Sequence, residues 1–339
     1  MSSQFESLAA IHFRDLTKSD PSGYGNDIIR QTLAEEGVGL ALIAGKDSYD
    51  LENKKALASV VIGDDNTKRS LTREISLGSD GISVVRARVV TPDALEQTVE
   101  LLNSMSLRRL GASKYRQYLI AKDMMPRTIR WQGENELDQL SGDVVVVKAD
   151  MSQGGKHVAI TPKNQVPIVA SQMAESLRSK SVRSNNDVIV QEFARGYQWP
   201  FKARTDYAQE MLKRAESQEL RVYCYAQADG TSRYYATGRS LQSNADKWAE
   251  ISQESVPARV WEMASEVSQR VLNSASVKSG FFAIDLIRGE GDEVLIREIN
   301  TRDPMMVISV EGKDDMRIQR KLLGSLMAER ALKAGATSS

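Results

Sequence analysis

The chain of 339 residues carries 45 basic and 45 acidic side chains and is 41% hydrophobic, the balance of a folded protein of two or three structural units. Zero formal charge leaves no electrostatic footprint for nucleic acid, and no apolar run approaches the roughly 20 residues that cross a bilayer. One cysteine, Cys224, and two histidines, His12 and His157, exclude an intrachain disulfide, a Cys/His zinc cluster and almost every Cys/His nucleophile pair.

The opening residues 1–6 lack the basic and apolar regions of a signal peptide, so a cytoplasmic protein is expected. Ala9 to Phe13 reads as a strand, and a polar loop from Thr17 to Gly25 follows it. Ile28, Ile29 and Leu33 then recur at helical spacing, and Gly39 to Ala44 is a second strand. This strand, helix, strand order begins an open parallel sheet. Ile82 to Arg86 reads as another strand, and Pro92 opens an expected helix whose stripe is Leu95, Val99 and Leu102. Leu107 to Gly111 is the expected joint to a second unit, which begins with Ser113 as N-cap of a helix through Lys122.

Beyond Val144 the strands lengthen and turn signals separate them, as in antiparallel α+β arrangements. Val144 to Lys148, His157 to Ile160 and Val188 to Glu192 are strands, and Asp229-Gly230 joins Leu220 to Ala226 with Ser232 to Thr237 as a hairpin. Pro257 to Val271 is helical, and Pro200 to Ser217 reads as a segment containing an inserted helix.

Phe281 to Arg288 and Glu293 to Asn300 form a second hairpin around Gly289-Glu-Gly-Asp292. A turn centred on Glu290 and Gly291 puts Asp285 opposite Ile296, with Glu298 and Asn300 on the same face. Asp285 and Glu298 are then diagonal neighbours at roughly 7–8 Å, a spacing that a cation could bridge. Carboxylates among Phe, Ile, Leu and Val need such a cation or hydrogen-bond donors, and hard oxygen donors suit magnesium. The plainer reading is a solvated hairpin whose acids pair with Arg288, Arg297 and Arg302. Lys148 ends a run of four valines, where an ammonium requires an anionic partner. Gly154-Gly155-Lys156 follows, and adjacent glycines let backbone amides approach a phosphate, although a glycine pair also serves as an ordinary turn. The spacing fits neither the P-loop nor the dinucleotide fingerprint.

In order, these pieces resemble the ATP-grasp superfamily from about Ser113 to Pro304. Ser113-Lys114 before a helix and Met125-Pro126-Arg-Thr128 resemble the opening lysine and its strand, and Val145-Val-Val-Lys148 the second nucleotide lysine. Ser152-Gln-Gly154-Gly155-Lys156-His157 resembles the mobile glycine loop, and Gln191-Glu192-Phe193-Ala194 the hinge that receives adenine. Arg221 and Arg239 resemble arginines brought to phosphate or acyl phosphate. Asp285 with Glu298-Ile-Asn300-Thr-Arg302 resembles the terminal magnesium motif. Where the family often has an acidic ribose ligand this chain offers Gln198.

The resemblance implies an α/β N-terminal substrate domain over residues 1–110, a small lobe with the glycine loop over 111–190 and a catalytic lobe over 191–339. The two lobes would clamp ATP. It implies a carboxylate–amine ligase of amino-acid or peptide type that forms an acyl phosphate and releases ADP and phosphate. Lys114 and Lys148 would hold the phosphates, Asp285, Glu298 and Asn300 one or two magnesium ions, and Arg302, Arg221 and Arg239 the acyl phosphate. Small-molecule carboxylates and amines are the expected partners, with no nucleic acid or membrane, and self-association into a homo-oligomer stays open. Asp20 to Asp27, Arg86 and Arg88 are candidates for the acceptor surface, with a simple βα connection and strand-end salt bridges as the plainer reading. A kinase acting on a hydroxyl and a non-catalytic nucleotide-binding protein are the alternatives.

Overall fold

A computed structural model describes residues 7–13, 24–45, 47–62, 69–87, 93–151, 157–180, 187–227, 229–241, 247–302, 304, 308–309 and 317–336. The first sheet contains β1 (Ser7–Phe13), β2 (Val38–Ala44), β3 (Tyr49–Asp50), β4 (Lys55–Ile62), β5 (Arg69–Ser76), β6 (Ile82–Ala87) and β7 (Glu100–Leu101), with α1 (Tyr24–Glu35) between β1 and β2. Its order is β3-β4-β2-β1-β6-β7, with β5 on β4. β1 lies parallel to β2 and β6, as the strand, helix, strand order requires, and β4 closes one side antiparallel to β2.

One expectation needs correction here. The helix expected after Pro92 is a short 3-10 turn, Asp93–Gln97, followed by β7. Leu95, Val99 and Leu102 are buried as their spacing suggests, but the open edge of β6 offers a ladder, and Glu100 and Leu101 take it in parallel register. Residues 107–110 lie in α2 (Met105–Leu110), which the Ser104 hydroxyl caps and Gly111 ends, and Leu107 is fully buried in the main core.

The second sheet follows α3 (Lys114–Ile120) and comprises β8 (Thr128–Arg130), β9 (Val144–Ala149), β10 (Val158–Pro162) and, after α4 (Val166–Lys180), β11 (Val188–Glu192). All neighbours in the order β10-β9-β11-β8 are antiparallel. Val145, Val147, Val188 and Val190 pack beneath Val166, Ala170 and Met173 of α4. Because side chains alternate, Lys148 and Gln191 occupy the opposite face.

The third sheet is built from β12 (Gln218–Ala226), β13 (Ser232–Ser240), β14 (Lys247–Glu250), β15 (Gly280–Arg288), β16 (Val294–Asn300) and β17 (Ile308–Ser309) in the order β16-β15-β12-β13-β14-β17. In chain order α5 (Asp206–Lys213) precedes it, α6 (Ala258–Ala275) joins β14 to β15, and α7 (Arg317–Ala336) ends it. The apolar stripe of α6, Val260, Met263, Val267 and Val271, covers Val222, Phe282, Ile284 and Ile296. The other face carries Tyr223, Tyr225, Phe281 and Trp248 against Ile11 and Val84 of the first sheet and Leu323 and Met327 of α7. Asn103 bolts the sheets together, donating to the Phe281 and Thr301 carbonyls at 2.5 and 2.9 Å and accepting from the Phe281 amide at 2.8 Å. No helix among the described residues is long and apolar enough to cross a membrane.

Gly111 ends α2 where a Cβ would lie 2.1 Å from the Thr301 Oγ1 and 2.9 Å from its backbone nitrogen. Gly111→Ala is therefore expected to destabilise the protein by about 1–3 kcal/mol or more, read as a lower urea midpoint at unchanged slope. Gly133→Ala, with open space around it, is the control that should leave the midpoint in place.

Candidate active site between the second and third sheets

The cation end of the site is assembled by Asp150, which sits just beyond β9. Its carboxylate accepts from the Ser113 hydroxyl and the Tyr115 amide, both at 2.8 Å, and its carbonyl accepts from the Lys114 amide at 3.2 Å. Ser113 is the N-cap of α3 that the sequence suggests, accepting from the Arg116 amide. These bonds hold the start of α3 to the end of β9, so Lys114 lies beside Lys148. Gln117 ties the same helix to β16, accepting from the Ile299 amide at 2.9 Å and donating to the Gly111 carbonyl at 2.9 Å. Lys114 consequently lies within electrostatic reach of Glu298.

Lys148 donates to Gln191 Oε1 at 2.6 Å, and Gln191 donates to Thr128 Oγ1 at 2.9 Å. Burial lowers the Lys148 pKa to about 8, assisted by Arg297 and Lys114 and opposed by Glu298. Burial likewise lowers Lys114, against the pull of Glu298 and Asp150. Two desolvated ammonium groups on one side of a cleft are poised to take an anion.

The carboxylate end lies on the third sheet, and its register differs from the expected one. Leu286 pairs with Ile296 but Asp285 pairs with Glu298, so Arg297 is an extra residue in a β-bulge. Asp285 and Glu298 are thus directly opposite one another instead of diagonal. Asn300 pairs with Ala283 further along. On the other side Asp285 pairs with Arg221, whose guanidinium donates to both carboxylate oxygens at 2.6 and 2.7 Å. Burial alone would raise the Asp285 pKa, but Arg221, with Arg297 and Arg239 beyond it, outweighs burial and holds the carboxyl below its usual range. The salt-bridged reading of the hairpin therefore holds for Asp285 through Arg221, not through Arg288, Arg297 or Arg302. Arg288 instead pairs with Asp292 and donates to the Gln198 carbonyl at 2.6 Å.

Glu219 is a site residue that sequence reading passes over. It is fully buried, and its Oε2 accepts from Arg239 at 2.6 and 2.9 Å and from Arg297 at 2.6 Å, while Oε1 is buried without a partner. Burial, then Asp285, raises its pKa. Trp248 completes this corner, with the Arg221 and Arg239 guanidinium carbons 4.7 and 4.5 Å from its ring. The spacing Glu219-x-Arg221 in a strand is the available signal, since both side chains share one face.

A cavity of about 800 Å3 runs along the hinge, lined by Glu192, Phe193 and Ala194 on one side and Leu295, Glu293 and Glu290 of the hairpin on the other. Lys114, Lys148, Gln191, Asp285 and Glu298 do not line it. Glu192 is partly committed to the fold, accepting from the Ser141 amide at 2.6 Å. Gln198 is likewise used locally, its amide donating to the Lys213 and Ala215 carbonyls at 3.1 and 2.7 Å. Arg302 lies half-buried beyond β16, and Arg86 is buried with its guanidinium 5.6 Å from the Phe281 ring centre. His157 precedes β10 in the left-handed region, its carbonyl accepting from the Ala149 amide at 3.0 Å. Ser152, Gly154, Gly155 and Lys156, with residues 20–23, Arg88, Met305 and Met306, lie outside the described residues.

Oxygen atoms of the kind a hard cation takes are present in Glu298, Asn300 and the unpartnered Glu219 Oε1, whereas both Asp285 oxygens already accept from Arg221. Among the described residues no three His, Cys, Asp or Glu side chains converge as a complete cage. An ion held there would have to keep water and phosphate oxygens, as magnesium does.

No protein-family model matches the chain, and no curated protein matches it in sequence. Solved structures do match over its whole length. D-alanyl-alanine synthetase A from Vibrio cholerae superposes with a TM-score of 0.58 at 11% identity, covering 97% of this chain and 100% of that one. D-cycloserine synthetase gives 0.58 at 12% identity over 94% and 99%. A RiPP-associated ATP-grasp ligase from Chryseobacterium gregarium, solved with ADP and a leader and core peptide, gives 0.51 at 16% identity over 96% and 97%. The chain has the fold of the ATP-grasp ligases.

Removing one partner of a buried ion pair strands the other. Asp285→Asn is expected to cost about 3–5 kcal/mol of stability, whereas Glu298→Ala, at a half-buried position, should stay within about 0.5 kcal/mol. Urea unfolding of both variants checks the contrast, and equal effects would contradict it.

Proposed function

We propose that the protein is an ATP- and magnesium-dependent ligase that activates a carboxylate as an acyl phosphate and joins it to an amine. The observation that carries this reading is the convergence of two desolvated lysines, Lys114 and Lys148, on the same cleft as the Asp285–Glu298 pair. The fold in which they meet is otherwise that of ligases. A carboxylate is a poor acylating agent because an oxide must leave. Attack of its oxygen on the γ-phosphorus of ATP expels ADP and forms a mixed anhydride. The amine nitrogen then attacks the acyl carbon, inorganic phosphate leaves and the amine loses a proton.

Such phosphoryl transfer depends on positioning and charge neutralisation more than on a protein nucleophile, in keeping with a chain of one buried cysteine and two histidines. Lys114 and Lys148 hold phosphate oxygens. The resemblance assigns residues 152–156 to the γ-phosphate and the hinge from Gln191 to Ala194 to the adenine. Arg221, Arg239 and Arg302 oppose the charge that develops on the acyl phosphate. Asp285, Glu298 and Asn300 would hold magnesium, which would neutralise phosphate charge. The C. gregarium ligase with its bound peptides supports an amino acid or peptide as the substrate class.

Release of ADP and phosphate, screened across amino acids, dipeptides and small amines, tests the reaction. A product lighter than its two precursors by one water establishes condensation, and phosphate retained on the acceptor would instead establish a kinase. Glu298→Ala should abolish ATP turnover in a folded protein, and retained turnover would remove Glu298 from the site.

The lowered Lys148 pKa predicts a pH dependence of nucleotide binding. Free protein loses the Lys148 proton as pH rises through about 8, while a phosphate-bound ammonium keeps it. ADP affinity should therefore fall above pH 8, by up to about tenfold per unit, and Lys148→Arg should flatten the profile. Calorimetric titrations from pH 7 to 9 read this directly, and a flat wild-type profile would contradict it.

A further inference from the structure

The bulge in β16 changes which side chains reach the cleft. Ile296 and Ile299 both pack into the core beneath α6. In a regular strand two residues on one face are separated by a single residue, so side chains at 296 and 299 would point to opposite faces. The extra residue resolves this by placing two consecutive side chains, Arg297 and Glu298, on the cleft side. Glu298 belongs to the motif already discussed. Arg297 does not.

Arg297 donates to Glu219 Oε2 at 2.6 Å, the same oxygen that takes both Arg239 bonds. One carboxylate oxygen thus serves two guanidinium groups. The two differ in access, because the Arg297 side chain is 43% exposed and the Arg239 side chain 21%, while Glu219 is fully buried. Arg297 is therefore the more solvent-accessible of the two guanidinium groups that share one buried acid. From the other lobe Lys148 approaches closely enough for Arg297 to disfavour its charge. Two cations on opposing walls repel one another until an anion enters between them.

We propose that Arg297 is a further phosphate-contacting residue, reaching the nucleotide from the large lobe opposite Lys148, and that its bond to Glu219 is the resting position it leaves when a polyphosphate binds. The proposal rests on the nucleotide reading of this cleft and adds a residue that the resemblance does not supply. A planar guanidinium matches two phosphate oxygens at once, which a lysine at this position would not. Glu219 keeps Arg239 throughout, so the acid is never left alone.

Calorimetric titration of the full chain with ATP, ADP and AMP in magnesium buffer tests it. Arg297→Ala is expected to weaken ATP and ADP by roughly ten- to a hundredfold, the effect of losing a charge-assisted hydrogen bond, and to leave AMP within about twofold. Arg297→Lys should recover only part of the loss. Arg297→Gln, which can still donate to Glu219, is expected to show the alanine phenotype at a wild-type melting temperature, separating phosphate contact from support of Glu219. Unchanged ATP and ADP affinity in either variant, or an equal loss for AMP, overturns the role of Arg297 while leaving the nucleotide reading intact. Wild-type protein that binds none of the three nucleotides overturns both.

Discussion

The interaction on which the site depends is the buried pair of Arg221 and Asp285 on adjacent strands of the third sheet. Each is costly alone, because an unpaired charge in this interior would lose its hydration without return. Together they fix the register of β12 against β15, and from that register the other groups follow. Glu219, two residues before Arg221, reaches Arg239 on one neighbouring strand and Arg297 two strands away. Glu298 comes opposite Asp285. A set of alternating positive and negative groups results on one face of one sheet, and the same face continues into the aromatic stack of Tyr223, Phe281 and Tyr225. That stack meets the first sheet and α7, so the charged end of the face is anchored by the apolar end.

Among the described residues, α3 links the second sheet to the third. Asp150 joins β9 to α3, and Gln117 joins α3 to β16. The Met124 carbonyl accepts from the Ile296 amide at 2.8 Å, next to the bulge. Lys114 and Lys148 are thus positioned against Glu298 by a short helix bonded at both ends, while α4 on the far face supplies the stability of the sheet. Separate anchoring of the two walls leaves the space between them available to a ligand.

Much of this was readable in local patterns. Ser113 caps its helix, Asp229-Gly230 turns its hairpin, the valines of β9 and the stripe of α6 are buried, and the order of elements is that of the fold. What escaped depends on pairing between distant segments. Nothing near Arg297 in the chain announces a bulge, because the extra residue is defined by what lies across the ladder. Glu219 looks like any acid at a strand start until Arg239 and Arg297 are seen to share it. Leu95, Val99 and Leu102 satisfy helical spacing, yet β6 offers an open edge, and a two-residue ladder prevails over the periodicity. Leu107 to Gly111 has the charge and glycine of a connection, but its two leucines are core residues and its glycine is wedged against Thr301.

The segment from Pro200 to Ser217 shows how a feature with no motif can still serve the site. Trp199, Phe201, Ala208 and Leu212 are buried in the main core, so the insertion is packed and not appended. It runs along β14: Ala203 bridges Ile251, the Arg204 amide donates to the Glu250 carbonyl at 3.0 Å, and the Arg204 side chain pairs with the buried Glu250 carboxylate at 2.9 Å. Phe201 lies so close to Gly238 that a Cβ there would be 2.6 Å from its ring. Arg239 follows immediately. Its backbone is therefore pressed by Phe201, its guanidinium lies near the Trp248 ring, and its charge is met by Glu219. The insertion thus packs against the residue before Arg239, while Glu219 and Trp248 hold its guanidinium.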